Sequence, residues 1–344
     1  MKMKKTAALL MAAVLMLSMT ACTTQKETPA DASSANTEAQ TAAGTEAAQD
    51  EGKVYTVGIC QLVQHEALDA ATQGFKDALT EAFGENVVFD EQNASNDSAT
   101  CATIVNQFVA SKVDLIMANA TPALQAAVAS TADIPIVATS ITDYATALDI
   151  SDWTGTTGIN VTGTADLAPL AEQAAMVKEL VPETKTVGIL YCSAEPNSKY
   201  QAGVVSEELT AMGMQVKDYT FADSNDVMQV TQTAVEGCDV LYVPTDNTVA
   251  SNTEIINGVA EDAGIPIIAG EEGICKGCGI ATLSIDYYSI GYRAGEMAAD
   301  ILANGADPAT MEIDFATELT KKVMTSRCET LGITVPEGYE AIAE

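Results

Sequence analysis

Residues 53–90 read KVYTVGICQLVQHEALDAATQGFKDALTEAFGENVVFD and decide the fold class of this chain. Strand-like apolar runs at Val54–Cys60 and Val87–Asp90 enclose a segment in which Leu68 and Phe75 recur two helical turns apart. Short apolar strands separated by an amphipathic helix are typical of a βαβ unit, in which both strands are parallel. The stretch therefore predicts an α/β fold built on parallel sheets.

The same alternation continues in two series along the rest of the chain. Further strands are predicted at Leu115–Ala118, Ile134–Ala138, Val187–Tyr191, Gln215–Tyr219, Val240–Val243 and Ile265–Ala269. Helices are predicted at 165–180, 198–212, 226–236, 250–263 and Gly291–Ala303, followed by a strand near Glu312–Phe315 and a last helix at Lys322–Leu331. A break at Asn160–Gly163 separates the two series, so we predict two Rossmann-like lobes.

The N-terminal segment has a composition of its own. Three lysines among the first five residues precede the apolar stretch Ala7–Met19, an arrangement typical of a signal peptide. The small residues before Cys22 resemble a bacterial lipobox, which predicts lipidation of Cys22. Residues 23–52 contain no aromatic and no large aliphatic side chain, so they cannot bury enough surface to fold. We predict a signal peptide at 1–21, a lipidated cysteine with a disordered tether at 22–52, and a protein anchored on the outer face of the cell membrane.

The formal net charge excludes one class of partner. The 344 residues include 16 Lys and Arg against 48 Asp and Glu, which gives a net charge of −32. A nucleic-acid binder needs a basic surface that neutralises phosphates, so we predict no nucleic-acid partner. Hydrophobic residues make up 47% of the chain, which is enough for a large core.

The cysteine pattern leaves two readings of one motif. Besides Cys22 the chain has seven cysteines, an odd number that leaves at least one thiol free. Cys275 and Cys278 form a CxxC motif, but the chain has a single His. Zinc is usually held by four nitrogen or sulfur ligands, so we predict no metal and no cofactor. The motif is either a local disulfide or a pair of unlinked loop thiols.

Polar loops follow the predicted strands of both lobes. Ligands of open α/β sheets bind beyond the carboxyl ends of the strands, where these loops lie. The hydroxyl of Thr121 and free helix N–H groups suit a carboxylate, whereas Asp143, Asp246 and Asp286 suit an ammonium. Any one of these residues alone is a common helix cap. Their joint placement predicts a site for a zwitterion such as an amino acid.

Enzyme motifs are absent from the sequence. The first strand is not followed by Gly-x-Gly-x-x-Gly, and neither a P-loop nor a Gly-x-Ser-x-Gly elbow occurs. The sole histidine, His65, lies in a loop before a helix, where a pocket wall or a cap is the commoner role. We therefore predict a protein that is not an enzyme and assign no catalytic residue.

A set of spaced motifs runs from residue 54 to residue 336. The set includes Val57-Gly58-Ile59, Ala120-Thr121-Pro122-Ala123, Ile141-Thr142-Asp143, Glu195-Pro196-Asn197-Ser198, Val243-Pro244-Thr245-Asp246-Asn247 and Ile285-Asp286-Tyr287. It resembles the substrate-binding lipoproteins of ABC importers, of the type that binds tryptophan and other aromatic amino acids. The resemblance implies a type I periplasmic-binding fold with three hinge crossovers, near Asn160–Thr162, Leu283–Asp286 and Phe315–Thr317.

The resemblance also implies domain limits, a site and a role. The lobes would comprise 53–160 plus 287–316 and 161–286 plus 317–344. The ligand contacts would be Thr121, Asp143, Asn197, Asp246, Asn247 and Asp286, with Gln61 and His65 lining the mouth of the pocket. The ligand would be tryptophan or another aromatic amino acid, captured between two closing lobes by a monomer. The protein would deliver it to an ABC permease with its ATPase.

Three alternatives stay open at this point. The same fold could bind a nucleoside, a small sugar or another organic solute. A redox or metal-binding lipoprotein would use Cys275 and Cys278. A sensor ectodomain would present the bound solute to a receptor, and the sequence does not separate that role from import.

Overall fold

The computed structural model of the protein describes residues 52–343. The predictions for residues 1–51, including the signal peptide at 1–21 and the lipidation of Cys22, lie outside the described residues, as does almost all of the predicted tether. Within residues 52–343, none of the helices has the length and apolar character needed to cross a membrane.

The secondary structure alternates strands and helices throughout. The strands are β1 (Tyr55–Gln61), β2 (Val87–Asn93), β3 (Leu115–Asn119), β4 (Ile136–Ile141), β5 (Val161–Ala165), β6 (Thr186–Cys192), β7 (Gln215–Phe221), β8 (Val240–Val243), β9 (Ile267–Ala269), β10 (Ala281–Ile285), β11 (Asp314–Phe315), β12 (Leu319–Val323) and β13 (Glu340–Ala341). The helices are α1 (Glu66–Phe83), α2 (Ser98–Ser111), α3 (Thr121–Ser130), α4 (Tyr144–Ala147), α5 (Leu170–Leu180), α6 (Pro196–Ala211), α7 (Val227–Val235), α8 (Asn247–Ala250), α9 (Thr253–Ala263), α10 (Glu272–Cys278), α11 (Tyr287–Asn304) and α12 (Thr325–Thr330).

Each lobe is built on one sheet. The first sheet has the order β11-β5-β4-β3-β1-β2, and all of its strands are parallel. The second has the order β13-β12-β10-β9-β8-β6-β7, and β12 runs antiparallel to β10 while the other pairs are parallel. The predicted α/β fold with two Rossmann-like lobes is confirmed.

The chain passes between the two sheets three times. It crosses after β5, at Asp286 after β10, and between β11 and β12. The second and third crossovers agree with the prediction. The first was placed too early, at Asn160–Thr162, and the lobe boundary at residue 160 shares this error, because β5 pairs with β4 in the first sheet.

The polar sequence of β5 explains that error. The strand consists of Val161, Gly163, Ala165 and two threonines, and it lacks the apolar run that marks the other strands. Gly163 has a φ of 148°, and a side chain there would collide with the carbonyl oxygen of Ala138 on β4. The close pairing of β5 with β4 therefore requires the glycine that made the segment resemble a break.

Three helix boundaries also differ from the prediction. The helix predicted at 165–180 begins at Leu170 because β5 occupies its start. The segment 250–263 is divided between the short α8 and α9. The helix predicted at Lys322–Leu331 is α12 alone, since residues 319–323 pair with β10 as a strand, a long-range contact that local periodicity does not reveal.

Helices cover both faces of each sheet, and the strand residues alternate accordingly. On β3, Leu115 and Met117 pack in the cluster that includes α1 and α11, whereas Ile116 and Ala118 pack with α2 and α3. All four side chains are fully buried. Strands buried on both faces read as continuous apolar runs, which is why β3 was recognised from its sequence.

The parallel packing of α1 on α11 positions the interlobe site. Glycines on both helices allow their backbones to approach closely, and a side chain at Gly291 would collide with the carbonyl oxygen of Ala71. This packing places the N-terminus of α11, at Tyr287, beside the N-terminus of α1, which follows His65. Both helix starts lie at the cleft between the lobes.

Candidate functional site

A small cavity lies between the two lobes. Its walls come from segments that follow the carboxyl ends of strands in both sheets, as expected for an open α/β fold. The lining residues are His65, Leu68, Ser140, Thr142, Asp166, Asn197, Thr245, Asn247 and Tyr287. The cavity therefore combines hydroxyl, amide, carboxylate and imidazole groups from both lobes.

Unpartnered polar atoms are concentrated in this cavity. Among the described residues, five buried side-chain oxygens lack a hydrogen-bond partner. Three of them belong to cavity-lining residues: Ser140 Oγ, Asp166 Oδ1 and Asn197 Oδ1. Buried polar atoms are nearly always paired in folded proteins. These three oxygens are thus placed to bind a polar ligand.

Asp166 is the buried acidic group of the cavity. Asp166 is 4% exposed, and the phenol of Tyr287 donates a hydrogen bond of 2.8 Å to its Oδ2. Burial raises the pKa of Asp166, and the hydrogen bond from Tyr287 partly opposes this effect. A cation beside Oδ1 would stabilise the charged carboxylate at this position.

Two asparagines form the wall that belongs to the second lobe. Asn197 lies in the first turn of α6 and Asn247 begins α8, and both donate from Nδ2 to the carboxylate of Glu195, at 3.1 and 2.7 Å. Glu195 does not line the cavity, and it lies directly behind these two residues.

Hydrogen bonds across the cleft join the lobes around the cavity. His65 Nε2 lies 3.2 Å from Asn247 Oδ1, and Asn96 Nδ2 donates to Thr248 Oγ1 at 2.9 Å. Because an amide oxygen only accepts, the Nε2 of His65 must carry the proton. Burial lowers the pKa of His65, although the bond to Asn247 opposes this effect.

The structure brings three of the predicted site residues together. His65, Asn197 and Asn247 line the cavity. Two of them follow strands of the second sheet and one follows β1, at the carboxyl ends where the rule for open α/β sheets expects a ligand.

Three predicted aspartates lie outside the cavity lining and cap helices instead. Asp143 accepts from the backbone N–H of Thr146 at 2.7 Å, and Asp246 accepts from that of Val249 at 2.8 Å. Asp286 is exposed and accepts from the N–H of Ser289 at 3.2 Å. Their carboxylates stabilise α4, α8 and α11, the capping role that any single such residue has most often.

The two remaining candidates, Gln61 and Thr121, are buried but do not line the cavity. Gln61 donates to Asp69 at 2.7 Å and accepts from Thr72 at 2.6 Å. Thr121 is buried in the first turn of α3.

The prediction missed the carboxylate at the centre of the site. Asp166 is the first residue after β5, and the rule that located His65 would have located it as well. The signal was lost because β5 was taken for a break and residue 166 for part of a helix. Tyr287 directly follows the candidate Asp286, and Ser140 lies three residues before the candidate Asp143, but neither was itself selected.

The CxxC motif lies on a helix and not in a loop. All seven cysteines among the described residues are free thiols, and those of Cys275 and Cys278 are buried. Burial raises the pKa of Cys278 to about 12. Arg327 holds the end of α10 by donating to the carbonyls of Cys275 and Gly277 at 2.9 and 2.8 Å. Reactive thiols are accessible and have low pKa values, so this environment does not favour redox chemistry.

Comparison with known proteins gives one family and several close relatives. Residues 56–344 match the sequence profile described as ABC transporter substrate binding protein. A tyrosine-binding protein of Clostridioides difficile strain R20291 is 38% identical over 304 residues, covering 88% of this chain and 85% of that protein.

Two solved structures are similar in sequence as well as in fold. A Streptococcus pneumoniae domain in complex with L-Trp is 30% identical, with a TM-score of 0.80, over 84% of this chain and 100% of that one. The ligand-free, open structure of a Clostridium difficile substrate binding protein with adhesive properties is 37% identical, with a TM-score of 0.64, over 84% and 99%. The lobes of this chain are thus arranged more like those of the L-Trp complex, although the open protein is closer in sequence.

Proposed function

The chain belongs to the ABC transporter substrate-binding protein family, and from that premise we propose that it captures an aromatic amino acid, tyrosine or tryptophan, in the interlobe cavity. The predicted family is confirmed. It is a family of transport components and not of enzymes, and its members bind substrate outside the cytoplasm for an ABC transporter.

The observation that carries the proposal is the set of unpartnered oxygens in the cavity. Asp166 Oδ1 and Asn197 Oδ1 are hydrogen-bond acceptors without a partner among the described residues. They suit a ligand that carries an ammonium group, because an ammonium only donates. The hydroxyl of Ser140 also lacks a partner and is able to donate to a carboxylate. Together these groups fit the zwitterionic end that all free amino acids share.

The relatives support an aromatic side chain on that ligand. One relative is named for tyrosine and one solved structure contains L-Trp, and both cover most of this chain. The zwitterion is argued from the cavity of this chain, whereas the aromatic ring is argued from these two proteins.

Lobe closure is the proposed mechanism of capture. A ligand that bonds to Ser140 on β4 of the first lobe and to Asn197 of the second contacts both lobes, so its binding favours the closed state over the open one. The hydrogen bonds of His65 and Asn96 across the cleft would add to the stability of the closed state and would break on opening. Hinge motion would occur at the three crossovers, which are short segments between regular elements.

We further propose that the protein is a monomer held at the membrane by a lipid on Cys22. The charge pattern before this cysteine supports signal-peptide cleavage after residue 21. Fractionation of cells that express the wild type or Cys22→Ser tests the anchor. The wild type should pellet with membranes and the variant should not. Equal distribution of both proteins would contradict the anchor.

Isothermal titration calorimetry of the purified protein tests the ligand. We expect stoichiometric binding of L-tyrosine or L-tryptophan with a Kd of roughly 1 μM, close to −8 kcal/mol. L-phenylalanine, adenosine and uridine serve as comparison ligands. Heat with a nucleoside and none with any aromatic amino acid would contradict the proposed ligand while leaving the family unchanged.

A further inference from the structure

We propose that Glu195 is a positioning residue that orients the side-chain amides of Asn197 and Asn247, and that the site thereby selects ligands that carry an amino group. The inference rests on the proposed function, because it concerns how the same cavity distinguishes an amino acid from a similar carboxylic acid.

Glu195 is a buried carboxylate with an unusual set of partners. It is 4% exposed and directly precedes α6, yet its side chain does not cap that helix. It reaches instead to the start of α8, where it accepts from the backbone N–H and the Nδ2 of Asn247, at 3.1 and 2.7 Å. It also accepts from the N–H and the hydroxyl of Thr248, at 2.9 and 2.8 Å.

The chemistry of these bonds fixes the direction of both amides. Both side-chain oxygens of Glu195 accept hydrogen bonds, so each asparagine must turn its NH₂ group towards Glu195 and its oxygen away. The NH₂ group of Asn197 also lies 3.2 Å from the carbonyl oxygen of Thr245, a second acceptor that favours the same orientation. The assignment of oxygen and nitrogen therefore follows from the partners.

The two oxygens then face the cleft. Asn197 Oδ1 is buried without a partner among the described residues, and Asn197 lines the cavity. Asn247 Oδ1 meets His65 across the cleft. Together with Asp166 Oδ1 on the first crossover, these acceptors suit a group with several donors, such as an ammonium.

This orientation exists before the ligand binds. Glu195, Asn197, Asn247 and Thr248 all belong to the second lobe, next to β6 and β8. Opening of the cleft would break the bond to His65 but none of the bonds to Glu195. A preorganised set of acceptors costs little to order when the ligand arrives, and it penalises a ligand without donors.

Replacement of the carboxylate by an amide tests the inference. Glu195→Gln places an NH₂ group where only acceptors fit, so the amides of Asn197 and Asn247 lose their common orientation. Calorimetry would compare L-tyrosine with 3-(4-hydroxyphenyl)propionate, which is tyrosine without its amino group. We expect Glu195→Gln to bind L-tyrosine about 30-fold more weakly than the wild type and the propionate less than about threefold more weakly. The selectivity for L-tyrosine over the propionate should therefore fall.

Glu271→Gln is the matched control. Glu271 is also a buried carboxylate of the second lobe, but it accepts from the backbone N–H groups of Gly273 and Ile274 and does not line the cavity. This variant should keep the selectivity of the wild type. If the role of Glu195 is purely structural, Glu195→Gln should have a lower melting temperature and should bind both ligands more weakly by the same factor. This result would overturn the inference.

A second measurement needs no change at Glu195. In the ligand-free wild type, NMR should find the side-chain NH₂ protons of Asn197 and Asn247 protected from exchange with water, and rapid exchange of both would overturn the inference. Titration of the wild type tests the proposed function independently of this inference. If the wild type binds no aromatic amino acid, the proposed function is wrong, whatever the variants show.

Discussion

Tyr287 donates a hydrogen bond of 2.8 Å to Asp166, and this bond joins two of the three segments by which the chain crosses between its lobes. Asp166 opens the first crossover after β5, and Tyr287 begins α11 directly after the second crossover at Asp286. The polar centre of the cavity is therefore attached to the hinge, the part of such a fold that moves least when the lobes close.

Removal of the phenolic hydroxyl of Tyr287 should weaken ligand binding. In Tyr287→Phe, Asp166 loses a donor that stabilises its charged form, so its pKa should rise and its attraction for an ammonium should fall. We expect L-tyrosine to bind about tenfold more weakly, as measured by calorimetry. Tyr292→Phe is the control, because Tyr292 bonds to Glu81 on the exposed side of the same helix. Equal affinity of both variants would contradict this role of Tyr287.

Ligand affinity should fall as the pH drops below about 6.5, the ordinary pKa of histidine. Burial lowers the pKa of His65 in this structure, so protonation would favour an open state in which the ring reaches solvent. His65→Gln keeps a donor for Asn247 but does not titrate, and His65 is the only histidine of the chain. The ligand affinity of His65→Gln should depend less on pH between 7.5 and 5.5 than the ligand affinity of the wild type. The same pH dependence in both proteins would refute the assignment.

Stability should depend on pH through Glu271. Burial raises the pKa of Glu271 from 4.5 to about 7, so the folded protein keeps a proton that the unfolded chain has already lost in this interval. The free energy of unfolding therefore falls as the pH rises from 5 to about 8. Thermal unfolding of Glu271→Gln should show a smaller loss over this range than the wild type. A parallel pH profile for both proteins would contradict the raised pKa.

The contact between α1 and α11 should be sensitive to one methyl group. Gly291→Ala would drive a side chain against the backbone of Ala71, and we expect it to destabilise the fold by about 2 kcal/mol in chemical denaturation. Gly203→Ala on α6 is the control, since nothing lies within 4 Å of the added carbon. This control should stabilise the protein by about 0.5 kcal/mol because alanine is the better helix former.

The lobes could be predicted from the sequence because their strands are short, apolar and buried on both faces. Residues of β3 alternate between two helical layers, and such continuous apolar runs are recognisable without tertiary information. The strands β5 and β12 are different. Gly163 makes β5 resemble a break, and β12 exists only through its pairing with β10, so neither is encoded in a local pattern.

The site was only partly predictable for a related reason. His65, Asn197 and Asn247 follow recognisable strands, so the topology rule located them. An aspartate after a strand is a ligand or a helix cap, and the sequence does not distinguish these roles. The carboxylate of Asp286 caps a helix by accepting from the N–H of Ser289, whereas Asp166 Oδ1 has no hydrogen-bond partner among the described residues and is the proposed ligand contact.

Calorimetric titration of L-tyrosine into Asp166→Asn and Asp286→Asn tests whether the ligand binds in the cavity between the lobes. Both variants exchange a carboxylate for an amide, and asparagine at position 286 is still a good helix cap. We predict that Asp166→Asn binds about 100-fold more weakly than the wild type, while Asp286→Asn stays within about threefold. Tight binding to Asp166→Asn together with its loss in Asp286→Asn would contradict the placement of the ligand in the cavity between the lobes.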